Sequence, residues 1–170
     1  MFLVVYGVLT LGYKMYLDKS TGTKNYPDYF THLVAKQSQS LLNTLGYETQ
    51  IQSHPKEPSV KLIVNNKYVA RVVEGCNSVS IIILFIAFII AFSGHPKITF
   101  FYALAGSVLI YTANLIRIAV LSIGLYHYPW RRDIMHTIIF PLVIYGMVFI
   151  LWMVWVRRFS HINKKHVKKH

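Results

Sequence analysis

Apolar residues gather in four runs. From Phe2 to Leu17 the only charge is Lys14, which can snorkel outward. Between Glu74 and His95 no side chain carries a full charge, and Val79 to Phe92 is almost unbroken Ile, Leu, Phe and Ala. From Ile98 to Tyr126 the only charge is Arg117, and Ile138 to Val156 has no Asp, Glu, Lys or Arg. A bilayer core of about 30 Å takes roughly 20 residues of helix, so these runs predict spanning segments. The Ile98–Tyr126 run exceeds that core, so it is tilted or emerges at its far end. Trp152 and Trp155, followed by Arg157 and Arg158, read as an interfacial belt and a cytoplasmic stop. The first run reads as an uncleaved anchor, because it lacks a basic n-region and no small-x-small cleavage site precedes Asp18. The same missing n-region leaves open whether Met1 is the natural start.

Between the first two runs the pattern changes. Phe30, Leu33, Val34, Leu41, Leu42 and Leu45 recur at helical spacing, with Lys36, Gln37, Ser38, Gln39 and Ser40 on the polar side and Gly46 as a stop. Val60–Val64 and Tyr68–Val72 predict two short strands around Asn65-Asn66-Lys67, since asparagine tolerates the left-handed backbone of a tight hairpin. The expected fold class is an all-α integral membrane protein of about four transmembrane helices with a small extracytoplasmic helix plus β-hairpin insertion. Residues 1–17 form the N-terminal span, 18–75 the extracytoplasmic segment, 76–156 a three-helix core and 157–170 a basic tail.

Composition fits this division. Apolar residues make up 54% of the chain and charged ones only 14%, below the roughly 25% usual in soluble domains. The 18 Lys+Arg against 6 Asp+Glu are segregated, with Arg157, Arg158, Lys164, Lys165, Lys168 and Lys169 in the tail and no acid among them. The positive-inside rule puts that tail in the cytoplasm. Four spans then place the N-terminus inside, the segment from about Asp18 to Gly75 outside, Gly94–Lys97 inside and Tyr128–Met135 outside. Arg131 and Arg132 oppose this topology, and Asp133 offsets one of them. Membrane-length apolar runs exclude a soluble nucleic-acid binder despite the basic balance. A single cysteine excludes an intramolecular disulfide and a multi-cysteine metal site, and no histidine spacing suggests a metal. No cofactor is expected.

Three polar residues stand out. Arg117 lies in an apolar helix, where a central guanidinium costs about 2.5–3.5 kcal/mol on the lenient scale. By residue count it sits roughly 14 Å below the outer face, with Asn114 one turn away. Such an arginine points into the bundle toward an anion or cavity, or else snorkels or binds neighbouring carbonyls. Cys76 lies in Glu74-Gly75-Cys76-Asn77-Ser78 at the outer entrance of the second span. It is either a small buried hydrophobe or a reactive thiol near a helix N-terminus. Asn77 and Ser78 can cap that helix, Gly75 can give a sharp turn, and Glu74 suits orienting another group. His136 begins the last span on the same side, with Thr137 as a cap and Pro141 in the first turn; an interfacial histidine is the plain alternative. Together, a thiol, an imidazole and a fixed cation are what amide-bond exchange needs.

At these residues the sequence resembles the exosortase/archaeosortase family of membrane transpeptidases. The resemblance rests on Glu74-Gly75-Cys76-Asn77-Ser78, Asn114-Leu115-Ile116-Arg117-Ile118 and His136 ahead of the last span, in that order. The small size and the lead-in around Tyr29–Gly46 look most like the exosortase F branch of flavobacteria. The resemblance implies a membrane enzyme acting on exported proteins that carry a C-terminal sorting signal of motif, transmembrane helix and basic tail. It implies Cys76 as nucleophile, His136 as general acid/base, Arg117 as stabiliser of substrate or oxyanion, and Glu74, Asn77 and Asn114 as supporting groups. The acyl group would pass to an unidentified acceptor nucleophile or to water. The competing reading is a non-catalytic membrane assembly or scaffold protein in which Arg117 is a structural charge. A channel or transporter subunit has less support, with one intramembrane charge and no repeat of half-helices.

Overall fold

The fold was taken from a computed structural model, which describes residues 1–20, 28–54, 57–92, 95–131 and 134–159. The first apolar run forms helix α1, Phe2–Ser20. Helix α2, Tyr29–Thr44, starts where the Asp28 side chain accepts the Thr31 amide at 2.8 Å, and this occupies a donor that a helix start leaves open. It stops as the sequence predicts. Gly46 takes φ +88°, its amide reaches Asn43 O, and the Tyr47 amide reaches Leu42 O, both at 3.0 Å. That double closure satisfies carbonyls the last turn would otherwise leave bare.

The expected hairpin is one part of a larger sheet. Strands β1 (Thr49–Ser53), β2 (Ser59–Val64) and β3 (Lys67–Val73) pair antiparallel in the order β1-β2-β3. The β2–β3 turn holds Asn65 and Asn66 at φ 47° and 61°, the left-handed pair of a two-residue hairpin. Strand β1 escaped the sequence pattern because Thr-Gln-Ile-Gln-Ser has a single apolar residue. It is held through its backbone: Asn43 Oδ1 accepts from Thr49 N at 2.9 Å and Gln39 Nε2 donates to Thr49 O at 2.8 Å.

Helix α3, Val79–Ala91, and helix α4, Pro96–His127, follow. A π-helical turn, Met135–Ile139, leads into helix α5, Phe140–Arg158, with Pro141 in its first turn, where the missing N–H is harmless. Thr137 lies inside the π-helical turn and does not cap α5, whose N-cap is Ile139 with no side-chain bond. Among the described residues, two helical stretches, Pro96–His127 and Thr137–Arg158, are long and apolar enough to cross a membrane, and Val79–Ala91 is a shorter apolar helix. Leu142, Tyr145, Phe149 and Ile150 of α5 face outward, as a lipid-facing surface does.

Two hydrophobic cores share α4. In one, Phe85 and Ile89 of α3 meet Ile110 of α4 and Val148 and Trp155 of α5. In the other, Val34, Ala35 and Leu42 of α2 and the buried faces of β2 and β3 close over Ile118, Ala119, Leu121 and Leu125 of α4. The first half of α4 therefore belongs to the apolar bundle and the second half to the α2–sheet layer. From Pro96 to Asn114 the helix rises about 27 Å, close to the thickness of a bilayer core.

The bundle's far end is pinned by polar contacts the sequence pattern did not anticipate. Trp155 is fully buried rather than part of an interfacial belt, and its indole N–H donates to Phe92 O at 3.0 Å. That carbonyl is one of those a helix C-terminus leaves open, so the indole closes α3. Tyr102 OH donates to Leu151 O at 2.7 Å, and the Trp152 ring stacks on Phe88.

Candidate active site

The cysteine motif is the joint between the sheet and the bundle. Strand β3 ends at Val73, a 3₁₀ turn covers Glu74–Cys76, and α3 begins at Val79. The sharp backbone turn falls on Ser78 at φ 63°, not on Gly75, which keeps an ordinary φ. A left-handed non-glycine residue costs about 1–2 kcal/mol. Ser78 does not cap α3; its Oγ donates to Asn77 O at 2.6 Å, and the first amide of the helix, Val79 N, goes to Asn77 Oδ1 at 3.1 Å.

Cys76 is a half-buried free thiol. Its carbonyl accepts a hydrogen bond from Asn114 Nδ2 of α4 at 2.8 Å. Asn114 is itself buried, and its Oδ1 accepts from Arg117 Nη1 at 3.5 Å, a long bond. The structure thus brings Cys76, Asn114 and Arg117 into one connected polar group, with Asn77 next to it in the chain. The backbone of His136 lies in the π-helical turn before α5, and that of Glu74 in the 3₁₀ turn; the side chains of both fall outside the described residues.

The Asn114–Cys76 bond also fixes depth. It sets Asn114 level with the start of α3, and Arg117 stands about 4.5 Å further along α4, away from the bundle core. Its neighbours Ile118 and Ala119 already belong to the α2–sheet core. Arg117 thus stands where the apolar bundle gives way to the α2–sheet layer. There Asn114 Oδ1 gives the guanidinium a polar partner.

Asn77 reaches residues that sequence reasoning missed. Its Nδ2 donates to Tyr13 OH of α1 at 2.7 Å and to Thr31 Oγ1 of α2 at 3.3 Å. Thr31 Oγ1 in turn donates to Asp28 Oδ2 at 2.6 Å. Asp28, Thr31 and Asn77 are all essentially inaccessible to solvent. An aspartate three residues ahead of a threonine signals a helix start and nothing more, and Tyr13 has no sequence signal at all.

A cavity of about 510 Å³ lies elsewhere, between α3 and the first half of α4, lined by Ile86, Ile90, Phe100, Ala103, Leu104 and Ser107 among others. Among the described residues, its walls carry no titratable group. In comparisons with known proteins, a family model described as Transmembrane exosortase (Exosortase_EpsH) matches residues 8–156. No curated protein and no solved structure matches the chain.

Proposed function

Since the chain belongs to the transmembrane exosortase family, we propose that it is a membrane cysteine peptidase/transpeptidase acting on exported proteins with a C-terminal transmembrane sorting signal. His136 takes the thiol proton as the Cys76 sulfur attacks the scissile carbonyl carbon, and Arg117 stabilises the resulting oxyanion or the bound substrate. His136 hands its proton to the departing amine, leaving a thioester on Cys76. An acceptor nucleophile or water, deprotonated by the same histidine, then breaks the thioester and restores the thiol. Glu74, Asn77 and Asn114 support these groups. The single observation that carries the reading is Asn114, whose amide links the Cys76 backbone to the Arg117 guanidinium.

In this reading α1, α3, α4 and α5 all cross the inner membrane, the basic tail is cytoplasmic and the α2–sheet layer is extracytoplasmic. The small size and the lead-in at Tyr29–Gly46 look most like the exosortase F branch. A substrate anchored by its own helix presents its scissile peptide at the depth of the α3 entrance, which reduces the search to two dimensions.

The test compares the C-termini of membrane proteins, by mass spectrometry, in cells carrying wild-type or Cys76→Ala protein. A small set should retain its C-terminal helix and basic tail only with the variant, and added mass on the processed termini identifies the acceptor. Identical C-termini with candidate substrates expressed would reject the peptidase reading in favour of a scaffold.

A further inference from the structure

We propose that Tyr13 and the Asp28–Thr31 pair are positioning residues for Cys76, acting through Asn77; this rests on the reading of Cys76 as the nucleophile. The peptide joining Cys76 to Asn77 is held from both sides. Its carbonyl is bound by Asn114 of α4, and the side chain that follows it is bound by α1 and α2. Both hydrogens of the Asn77 amide are used, on Tyr13 OH and Thr31 Oγ1, and its oxygen takes the Val79 amide. An asparagine engaged in this way has no donor left for a substrate. Its role is to fix the turn.

Asp28 determines which way that asparagine points. Both oxygens of its carboxyl group accept from Thr31, Oδ1 from the amide and Oδ2 from the hydroxyl, so Thr31 Oγ1 spends its only hydrogen there. The threonine oxygen is then an acceptor toward Asn77, and the nitrogen of the Asn77 amide must face it. The amide oxygen is left toward the first N–H of α3. The chain Asp28–Thr31–Asn77 therefore has one hydrogen-bond polarity, and reversing the amide would break the links to Thr31 and to Val79. This matters because Ser78 sits beside it in a left-handed conformation, which persists only where the surroundings over-determine it. Tyr13 supplies the second anchor and ties α1 to the thiol's turn. Helix α1 is thus part of the device that orients Cys76, in addition to any anchoring.

The chain's single cysteine gives a readout that does not depend on turnover: the rate at which iodoacetamide alkylates Cys76 in the folded, full-length protein. Freeing the turn exposes the half-buried thiol while destroying its alignment, so alkylation and catalysis should move in opposite directions. Tyr13→Phe and Thr31→Val should each speed alkylation about threefold or more, the equivalent of one ordinary hydrogen bond. Tyr13→Phe should do so with a thermal midpoint lowered by about 2–8 °C, the effect of leaving one buried N–H of Asn77 without its acceptor, so that the protein stays folded during the assay. Thr31→Ser keeps the hydroxyl and should return the wild-type alkylation rate. Wild-type rates in both Tyr13→Phe and Thr31→Val would overturn the proposal; should Thr31→Val fail to fold, Tyr13→Phe decides alone. A failure of the nucleophile reading shows separately, as activity surviving in Cys76→Ala.

Discussion

Asn114 Nδ2 lies 2.8 Å from the carbonyl oxygen of Cys76, across 38 positions of sequence. This bond sets the height of α4 against the start of α3 and brings the guanidinium of Arg117 to the cysteine's turn. Asn114→Leu keeps the size but leaves a carbonyl without its donor, which should cost about 1–3 kcal/mol. Asn114→Asp should be worse, because an oxygen then faces the carbonyl oxygen. Thermal unfolding in detergent measures the stability, and substrate processing should fall in both variants. An Asn114→Leu protein as stable and as active as wild type would mean that the bond contributes nothing.

Arg117 tests whether the site needs a charge or a shape. Lysine keeps the charge but loses the planar fork that can hold Asn114 and an oxyanion together. With Arg117→Lys, turnover should fall on the order of 100-fold, the usual loss when one oxyanion donor is removed, at unchanged membrane abundance. A rise in KM with kcat intact would move the residue from oxyanion stabilisation to substrate binding. Full activity would reduce the requirement to a generic cation.

Much of this architecture is legible in the sequence where the cause is local. Gly46 closes α2 and Asn65-Asn66 turns β2 into β3 because each conformation belongs to the residue that adopts it. What escapes is whatever depends on a distant partner. Thr49–Ser53 is a strand because Asn43 and Gln39 hold its backbone, which no periodicity records. Trp155 looks like an interfacial residue until Phe92 O is found beside its N–H. Hydropathy cannot tell an apolar residue facing lipid from one facing protein, so Leu121 and Leu125 read as membrane although α2 and the sheet cover them. The motif residues Cys76, Asn114 and Arg117 were legible as polar exceptions, whereas Tyr13 and Thr31 were not, since a hydroxyl on an ordinary helix is unremarkable.

The bundle itself has a sharp steric test. Gly106 of α4 packs against the ring of Phe85, which is fully buried, so a Cβ at this position has no room. Replacing a helical glycine by alanine in open space gains about 1 kcal/mol of helix propensity. Here Gly106→Ala should instead destabilise by about 1–3 kcal/mol through overpacking. Shrinking the ring with Phe85→Leu should recover part of the loss, and a double-mutant cycle on thermal unfolding reads that coupling. Stabilisation by Gly106→Ala alone would show that the two helices do not approach so closely.

Topology links the proposed chemistry to a compartment. If the basic tail lies in the cytoplasm, an odd number of crossings separates it from Cys76 in the four-span arrangement, because α3, α4 and α5 all intervene. The cysteine then faces outward, next to Gly75, which is exposed in the 3₁₀ turn. An impermeant maleimide added to intact spheroplasts should therefore label Cys76, and the single thiol makes the signal unambiguous. Because the thiol is only half exposed, labelling after denaturation gives the full-scale reference. Labelling confined to lysed cells, at a rate matching native protein in detergent, would turn the motif to the cytoplasmic side. An enzyme acting on proteins after export would then meet its substrates on the wrong face, and the peptidase reading would lose its premise even with the bond between Asn114 and Cys76 intact.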